Sequence, residues 1–349
     1  MLTYLYRLRL GTALWYNSSM TDHTGHIQTN ALQYRALLRE ELQTAQALML
    51  KSHSNLPANV TQAFDCIINS GGKRLRPALV LLSAHLCHAD LERALPLAAA
   101  VEMLHTATLI HDDLIDHALV RRGARTLNAQ WPPSATVLAG DLAFAWAATL
   151  AARVQDLTMM DRFAATLETI CYGELNQMFK GRGVIPTSEE YRQRILAKTA
   201  SLFALATEAG PLLAGSPPAE IENLRRFGEL LGTAFQIADD VLDFMADEAT
   251  LGKPVGSDLR QGLVTLPLLY YLEEHPADRR IQALAQAPSD EAQIQALIAD
   301  LRSSHVAARA MSTAESYIHE ALDILQPYPP SPYRAALEEI AVFTTRRRY

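Results

Sequence analysis

Cysteine is scarce in this sequence. Its 349 residues include three cysteines, Cys66, Cys87 and Cys171, which lie far apart and form no CxxC pair. An odd number of scattered cysteines is not the pattern of a disulfide framework or of a zinc site. The cysteine content therefore predicts a reducing compartment, and we expect the protein to be cytoplasmic.

A basic surface is also missing. Lys and Arg total 31 against 38 Asp and Glu, so the formal net charge is −7. A protein that binds nucleic acid needs a broad positive face to meet the phosphate backbone. The composition therefore excludes a nucleic-acid partner, and it draws attention to acidic residues that are clustered along the chain.

Long uncharged apolar runs are absent. No segment contains the roughly 18 uncharged apolar residues that a membrane span needs, and the richest stretch, Leu142–Ala152, has the length of a core helix. Residues 1–19 carry Arg7 and Arg9 and no acid, which also fits a targeting segment, but no cleavage-like site follows a continuous apolar run. We interpret 1–19 as a dispensable or disordered extension, with translation beginning at Met20.

Strand-like alternation of apolar and polar residues is almost absent, whereas Ala and Leu are abundant and helical periodicity is common. Thr187-Ser-Glu-Glu190 has the pattern of a capping box that opens a helix. The predicted helices cover 28–52, 57–69, a segment after Pro77, 94–118, 135–155, 160–181, a segment after Thr187, 219–246, 265–274 and 333–346. No internal repeat or long flexible linker divides the chain. The sequence predicts one all-α domain, a large helical bundle over residues 20–349.

Two aspartate clusters end two apolar helical segments with the same spacing. The clusters are Asp112, Asp113 and Asp116, and Asp239, Asp240 and Asp243. On a helix, residues i and i+4 lie on one face about 5–6 Å apart, so these carboxylates repel one another. Oxygen ligands without nearby Cys or several His suit Mg²⁺, which is usually completed by phosphate oxygens of a substrate. The clusters therefore predict a magnesium site for a phosphorylated substrate.

The clusters have two other interpretations. A single DDxxD sequence is also compatible with a solvated helix end, but two copies after two apolar helices argue against that. His105 and His111-Asp112 are also typical of a His–Asp metal phosphohydrolase. That chemistry needs further His ligands, and none accompanies Asp239–Asp243.

Seven short motifs follow one another in the order found in a known family. They are Gly71-Gly-Lys-Arg-Leu-Arg-Pro77, Asp112-Asp-Leu-Ile-Asp116, Arg121-Arg-Gly123, Gly173-Glu174 with Gln177, Lys198-Thr199, Gly232-Thr-Ala-Phe-Gln-Ile-Ala-Asp-Asp-Val-Leu-Asp243 and Gly252-Lys-Pro-Val-Gly-Ser-Asp-Leu259. From about residue 30 onward the chain resembles the trans-isoprenyl diphosphate synthases. The resemblance implies a bundle of the isoprenoid synthase type with a central active-site cavity, a homodimer, and peripheral membrane contact for product release. It also implies Mg²⁺-dependent condensation of isopentenyl diphosphate with an allylic diphosphate.

The resemblance also assigns roles to individual side chains. It implies that isopentenyl diphosphate is bound by Lys73, Arg76, His105 and Arg122. It implies that the allylic diphosphate is contacted by Arg121, Lys198, Thr199, Gln236 and Lys253, of which Lys198, Thr199 and Gln236 serve catalysis. The six aspartates would hold about three Mg²⁺ ions. Arg offers a fork of donors that matches phosphate oxygens. Seen alone, the 73–76 run also fits a solvated basic turn, and His105 a core histidine.

The sequence departs from the family's pattern at two places. Gly123-Ala-Arg-Thr126 stands where the family often has Gly-Lys-Pro-Thr, and Leu263 replaces a Lys that would reach phosphate. Weaker substrate binding is the expected consequence, because neither change removes a metal ligand. The C-terminal Arg346-Arg-Arg348 resembles a basic tail that closes over the isopentenyl site, although a solvated terminus fits equally.

Small residues before the first cluster bear on product length. The growing chain should run along this helix, about one turn for each isoprene unit. Ala107 and Thr108 stand where short-chain members carry aromatics, and Met103 and Leu104, one turn further, are also non-aromatic. We expect an all-trans product longer than C20, in the C30–C50 range of quinone side chains. Phe144 or Trp146 could close the tunnel.

Three alternatives stay open at this point. They are a shorter-chain synthase of the geranylgeranyl type, a class I terpene cyclase and a non-catalytic subunit of a heteromeric synthase. A cyclase would have no use for a second diphosphate pocket at Lys73–Arg76. A non-catalytic subunit usually lacks an aspartate cluster, and this sequence retains both.

Overall fold

The computed structural model of the chain describes residues 33–52, 56–70, 72–121, 124–179, 185–246, 255–281, 283 and 291–346. The first five described helices are α1 (Tyr34–Leu37), α2 (Arg39–Lys51), α3 (Ala58–Asn69), α4 (Leu75–Leu86) and α5 (Leu91–Ile115). A two-residue hairpin comes next, β1 (Val120–Arg121) paired antiparallel with β2 (Ala124–Arg125).

The remaining helices complete the bundle. They are α6 (Pro133–Ala152), α7 (Leu157–Phe179), α8 (Ser188–Ile195), a π-helical turn at Leu196–Ala200, α9 (Ser201–Leu213), α10 (Pro218–Met245), α11 (Ser257–Arg260), α12 (Leu266–Glu274), α13 (Glu291–Ser303), α14 (Val306–Leu325) and α15 (Pro332–Thr345). The all-α prediction is confirmed. Residues 1–32, including the proposed extension, lie outside the described part of the chain.

The two helices that carry the aspartate clusters are at the centre of the packing. α5 lies against α4 and α6, and α10 lies against α9 and α14. Helix α5 begins at the N-cap Asp90, whose carboxylate accepts a hydrogen bond from the Glu92 amide at 2.9 Å. It then continues for 25 residues through Pro96. The buried side chains form one hydrophobic core, from which the two clusters project at the helix ends.

Helices α5 and α6 are the two described helices that are long and apolar enough to cross a membrane. The apolar window of α5 is 72% buried, as expected of a core helix, whereas that of α6 is 39% buried. Core helices of water-exposed proteins also meet this length and hydropathy criterion, so the criterion alone does not indicate a span. In a single chain, α6 therefore leaves a large apolar surface uncovered.

Several local features differ from the sequence-based prediction. The predicted helix 28–52 is divided at Leu38 (φ −108°, ψ 23°) into α1 and α2. The helix opened by the capping box is confirmed, since the Thr187 hydroxyl and the Glu190 carboxylate each accept from the other's backbone amide. It is interrupted, however, by the π-helical turn. Neither this turn nor the hairpin was predicted.

Two glycines allow the π-helical turn to pack closely between α7 and α10. A Cβ added at Gly173 would lie 2.7 Å from the Cβ of Ala197, and one added at Gly232 would lie 2.6 Å from the Cα of Ala200. Both distances are too short for real carbon atoms. The glycines in two of the sequence motifs are therefore explained by helix packing around residues 196–200.

We predict that Gly173→Ala lowers the free energy of unfolding by about 1–3 kcal/mol, because overpacking outweighs the roughly 1 kcal/mol gain in helix propensity. The double variant Gly173→Ala/Ala197→Gly should return close to the wild-type value, since it exchanges the two residues and removes the clash. Urea unfolding measures both. If the effects of the two substitutions simply add, the close contact is not the cause.

Candidate functional site

The first aspartate cluster lies at the C-terminal end of α5. Exposed carbonyls make this end of a helix negative, so carboxylates are unfavourable there unless a cation neutralises them. Burial raises the pKa of Asp112 to about 6, and Glu174 and Asp116 add to the rise while Lys198 opposes it. Asp116 is exposed and forms the C-cap of α5. Charge on Asp112 is therefore only partly offset by the described cations, Lys198 and Arg121.

Asp113 has a different environment from its two neighbours. It is 7% exposed, and its Oδ1 accepts a hydrogen bond from Nε of Arg121 at 2.7 Å. Burial raises the pKa of Asp113, and the Arg121 guanidinium opposes the rise. The ion pair fixes the hairpin beside the end of α5. It brings Arg121 next to the cluster, while metal coordination by Asp113 stays a prediction.

The second cluster lies in the last two turns of α10. Asp240 is 4% exposed, and its two oxygens accept hydrogen bonds from the Tyr191 hydroxyl at 2.7 Å and from Nε2 of Gln236 at 2.8 Å. Burial raises its pKa to about 6, and the two hydrogen bonds oppose the rise. Asp239, in contrast, is partly exposed. Both carboxylate oxygens of Asp240 therefore already accept hydrogen bonds from the protein.

Asp243 joins the end of α10 to the segment that follows it. Its Oδ2 accepts a hydrogen bond from the Asp258 amide at 3.0 Å, and its backbone oxygen accepts one from the Gly256 amide at 2.7 Å. These contacts place α11 against the cluster. Lys253, assigned to the allylic diphosphate, precedes this segment and lies outside the described residues.

The π-helical turn connects the two clusters. Nζ of Lys198 is 2.6 Å from Oε1 of Glu174 on α7. Burial disfavours the charge of Lys198, but Asp112 and Glu174 outweigh it and the pKa of the ammonium is raised. The next residue, Thr199, donates a hydrogen bond to Oε1 of Gln236 at 2.7 Å. Consecutive residues of one turn therefore interact with α5 on one side and α10 on the other.

The basic side chains at the start of α4 have different partners. Nζ of Lys73 lies 4.4 Å from the ring centre of Phe343, and the Arg76 guanidinium lies 4.7 Å from that of Phe203. Arg74 has a left-handed conformation (φ 50°), and its Nη1 donates to the Glu102 carboxylate at 2.7 Å. Arg74 therefore has a structural partner in Glu102.

The remaining residues predicted for the site are His105, Arg122, Ala107 and Thr108. His105 is partly buried on α5, and Arg122 lies outside the described residues. Ala107 is fully buried, while Thr108 is partly buried and donates a hydrogen bond to the His105 carbonyl at 2.8 Å. Of the residues expected to line a tunnel along α5, Met103, Leu104 and Ala107 have no accessible surface and Thr108 has some, so the tunnel stays a prediction.

The two aromatic residues on α6 are held by different partners. The Phe144 ring lies 5.2 Å from that of His111, next to the first cluster. The Trp146 ring packs edge-on against Phe64 at 4.7 Å. Phe144 therefore lies beside the end of α5 that carries the aspartates, and closure of a long tunnel by Trp146 stays a prediction.

Two residues near the clusters were not assigned a role from the sequence. Tyr191 follows the capping box at the start of an apolar helix face, and its hydroxyl contacts Asp240. Glu174 belonged to a recognised motif, but its ion pair with Lys198 was not expected. A buried Tyr that begins an apolar face looks like any core residue, so no sequence signal distinguished it.

The donor set fits Mg²⁺ that is shared with a substrate. Within the described residues, no group of three or more His, Cys, Asp or Glu side chains is close enough to hold an ion by itself. Carboxylates instead come from two helices, and the Lys198–Thr199 turn interacts with residues of both. Mg²⁺ commonly uses one or two carboxylates and completes its shell with water and phosphate oxygens. Such a site matches Asp112, Asp116 and Asp239.

Comparison with known proteins agrees with this geometry. The family model for polyprenyl synthetase matches residues 57–301. Heptaprenyl diphosphate synthase component 2 of Geobacillus stearothermophilus is 36% identical over 283 residues, which are 81% of this chain and 88% of the relative. Octaprenyl diphosphate synthase of Escherichia coli strain K12 is 31% identical over 320 residues, 91% of this chain and 99% of the relative.

A solved structure extends the agreement to three dimensions. The polyprenyl synthase of Caulobacter crescentus CB15, complexed with calcium and isoprenyl diphosphate, superposes with a TM-score of 0.85 at 34% identity. The match covers 92% of this chain and 98% of that one. The family model and both relatives span the two aspartate helices. The chain therefore belongs to the polyprenyl synthetase family, and it is a prenyltransferase with the all-α isoprenoid synthase fold.

Proposed function

We propose that the protein is a Mg²⁺-dependent trans-polyprenyl diphosphate synthase that condenses isopentenyl diphosphate with an allylic diphosphate. The observation that carries this proposal is the pair of aspartate clusters joined by the Lys198–Thr199 turn. Relatives with hepta-, octa- and nonaprenyl products support the reaction class. The calcium and isoprenyl diphosphate named for the related structure support a divalent ion that is shared with a diphosphate.

Each substrate would use a separate group of basic residues. Lys198 and Arg121, beside the first cluster, would bind the allylic diphosphate. Lys73 and Arg76, at the start of α4, would bind isopentenyl diphosphate with His105. When bound by Asp112, Asp116 and Asp239, Mg²⁺ would neutralise the leaving diphosphate. The six aspartates of the two clusters carry a charge that about three Mg²⁺ ions would balance.

The reaction needs the cationic carbon to be shielded from water. The C–O bond of the allylic diphosphate breaks, and the double bond of isopentenyl diphosphate attacks the carbon that results. A proton is then lost to the released diphosphate, so the product is five carbons longer and no protein nucleophile is required. Thr199 and Gln236 lie between the clusters and would face the reacting carbon. The apolar walls of α5 and α9 would exclude water.

A homodimer is proposed as the working assembly. Helix α6 has an apolar window of which only 39% is buried in the single chain. Helix α7 also carries exposed apolar side chains, including Tyr172 (66% exposed) and Phe179 (83% exposed). Exposed apolar surface of this extent is typical of an interface. The relative named component 2 raises the alternative of a heteromer. A cytoplasmic location with peripheral membrane contact completes the proposal.

We predict that the purified protein, given farnesyl diphosphate, isopentenyl diphosphate and Mg²⁺, forms linear prenyl diphosphates of C30–C50. Chromatography of the dephosphorylated products measures their length, and EDTA should abolish turnover. A cyclic hydrocarbon would support a terpene cyclase instead. Complete absence of turnover would support a subunit that needs a partner, and products no longer than C20 would support a shorter-chain synthase.

Product length should respond to the wall of the proposed tunnel. We predict that Ala107→Phe and Thr108→Phe shorten the main product by one or more isoprene units, because an aromatic ring would block the path about one turn from Asp112. Two variants are needed because Ala107 is fully buried and its replacement can disturb packing. Leu104→Ala, one turn further, should not shorten the product. Unchanged length in both Phe variants would refute the tunnel along α5.

The charged form of Asp112 should destabilise the metal-free fold, although the proposed activity requires it. Its pKa is raised from 3.8 to about 6, so the folded metal-free protein holds this proton more tightly than the unfolded chain does. Stability from this group is therefore present below about pH 4 and is lost as the pH rises to about 6. We predict that Asp112→Asn raises the free energy of unfolding by about 1–2 kcal/mol at pH 8, after allowance for partial exposure.

The same substitution should abolish Mg²⁺-dependent turnover. Urea unfolding in EDTA at pH 8 and pH 4 measures the stability effect, which should nearly vanish at pH 4. Exposed Asp323 on α14 offers a control, because Asp323→Asn should change neither stability nor activity. A variant of Asp112 that is less stable than wild type at pH 8 would contradict the charge argument.

A further inference from the structure

A buried tyrosine is hydrogen-bonded to the second aspartate cluster. Tyr191 on α8 is 2% exposed, and its hydroxyl donates to Oδ2 of Asp240 at 2.7 Å. The Arg194 guanidinium lies 5.4 Å from the centre of the Tyr191 ring and donates to the Val264 carbonyl at 2.7 Å. Tyr191 therefore has little freedom to point its hydroxyl elsewhere.

The second oxygen of Asp240 determines the orientation of Gln236. A carboxylate oxygen can only accept, so the Gln236 side chain must present its NH₂ group to Oδ1 of Asp240, which it does at 2.8 Å. The amide oxygen then faces Thr199, whose hydroxyl donates to it at 2.7 Å. The direction of each hydrogen bond follows from the one before it. One ordered chain thus runs from Tyr191 through Asp240 and Gln236 to Thr199.

The order of this chain has a consequence at its far end. The single hydroxyl proton of Thr199 is used toward Gln236, so the lone pairs of that oxygen are turned away from Gln236. Thr199 adjoins Lys198, which interacts with the first cluster. An oxygen that presents lone pairs there favours positive charge on a nearby carbon, whereas a hydroxyl proton would disfavour it.

Helix geometry separates Asp240 from the proposed metal ligands. Adjacent residues on a helix point about 100° apart, whereas residues i and i+4 share a face. Asp239 and Asp243 are therefore on one side of α10, and Asp240 points toward α8. Its carboxylate is 4% exposed and already accepts from two protein donors.

We propose that Tyr191 and Asp240 are positioning residues for prenyl transfer: together they fix the amide of Gln236 and so the orientation of the Thr199 hydroxyl. This inference rests on the proposed synthase activity. It also reassigns Asp240, which the family motif had grouped with the metal ligands. The hydroxyl proton of Tyr191 fixes the Asp240 carboxylate, and that carboxylate in turn fixes the side-chain amide of Gln236.

The first experiment compares Tyr191→Phe with a matched variant, Tyr271→Phe. Tyr271 is likewise buried, and its hydroxyl also donates to an aspartate, Asp278, at 3.1 Å. In Tyr191→Phe, kcat should fall roughly ten- to a hundredfold, as expected for loss of a hydrogen bond to a charged group. KM for isopentenyl diphosphate should stay within about twofold of the wild-type value, since Tyr191 is not among the residues proposed to bind that substrate. Tyr271→Phe should leave kcat unchanged.

The second experiment separates positioning from metal binding. Calorimetry with a non-reacting thio-analogue of farnesyl diphosphate gives the Mg²⁺ concentration needed for half-maximal binding. Asp239→Asn should raise that concentration at least tenfold, whereas Asp240→Asn should leave it within about twofold while lowering kcat. An increase in Asp240→Asn as large as that in Asp239→Asn would show that Asp240 is a ligand and would overturn the proposal.

A third measurement needs no substrate and so distinguishes the two proposals. Hydrogen–deuterium exchange of the whole protein should be faster in Tyr191→Phe for peptides that cover 196–200 and 236–240, and unchanged in Tyr271→Phe. Unchanged exchange together with a wild-type kcat would refute the ordered chain. If the wild type makes no prenyl product while exchange responds as expected, the proposed function fails and the hydrogen-bond chain stands.

Discussion

Repulsion between carboxylates at the ends of two helices is the constraint on which the rest of the structure depends. Asp112 and Asp116 end α5, where the helix dipole is already negative, and Asp239 lies at the corresponding end of α10. Among the described residues, Lys198 and Arg121 oppose the rise in the pKa of Asp112, yet burial and nearby carboxylates still raise it to about 6. Charge on Asp112 is therefore only partly offset, which supports the proposal of a divalent ion at this site.

The packing around the π-helical turn fixes the elements that surround the two clusters. Glycines at 173 and 232 bring α7 and α10 within contact distance of the π-helical turn, which no larger residue would allow. The Asp113–Arg121 ion pair and the contacts of Asp243 attach the hairpin and α11 to the helix ends. The site is therefore held in place by contacts of Asp113 and Asp243, which belong to the same two clusters.

Local patterns predicted what depends on local spacing. The all-α class, the capping box at Thr187 and the position of both aspartate clusters follow from residues within one or two turns of each other. The partners of Asp113 and Asp240 could not be predicted in this way. Whether a helix face is covered depends on donors from other elements, and Tyr191 stands 49 residues from Asp240. The π-helical turn was missed because its composition is that of an ordinary helix, and its cause lies in the glycines of two other helices.

The π-helical turn makes the chain length of this region unusually consequential. A widened turn is equivalent to one residue inserted into a continuous α-helix. Removing one residue between Leu196 and Ala200 would restore regular winding and leave α8 and α9 in nearly the same phase, so the packing of α9 on α4 and α10 would be kept. The wide turn that directs Lys198 toward Glu174 and Thr199 toward Gln236 would be lost instead. The length of this segment therefore matters for the geometry between the two clusters and much less for the folding of the bundle.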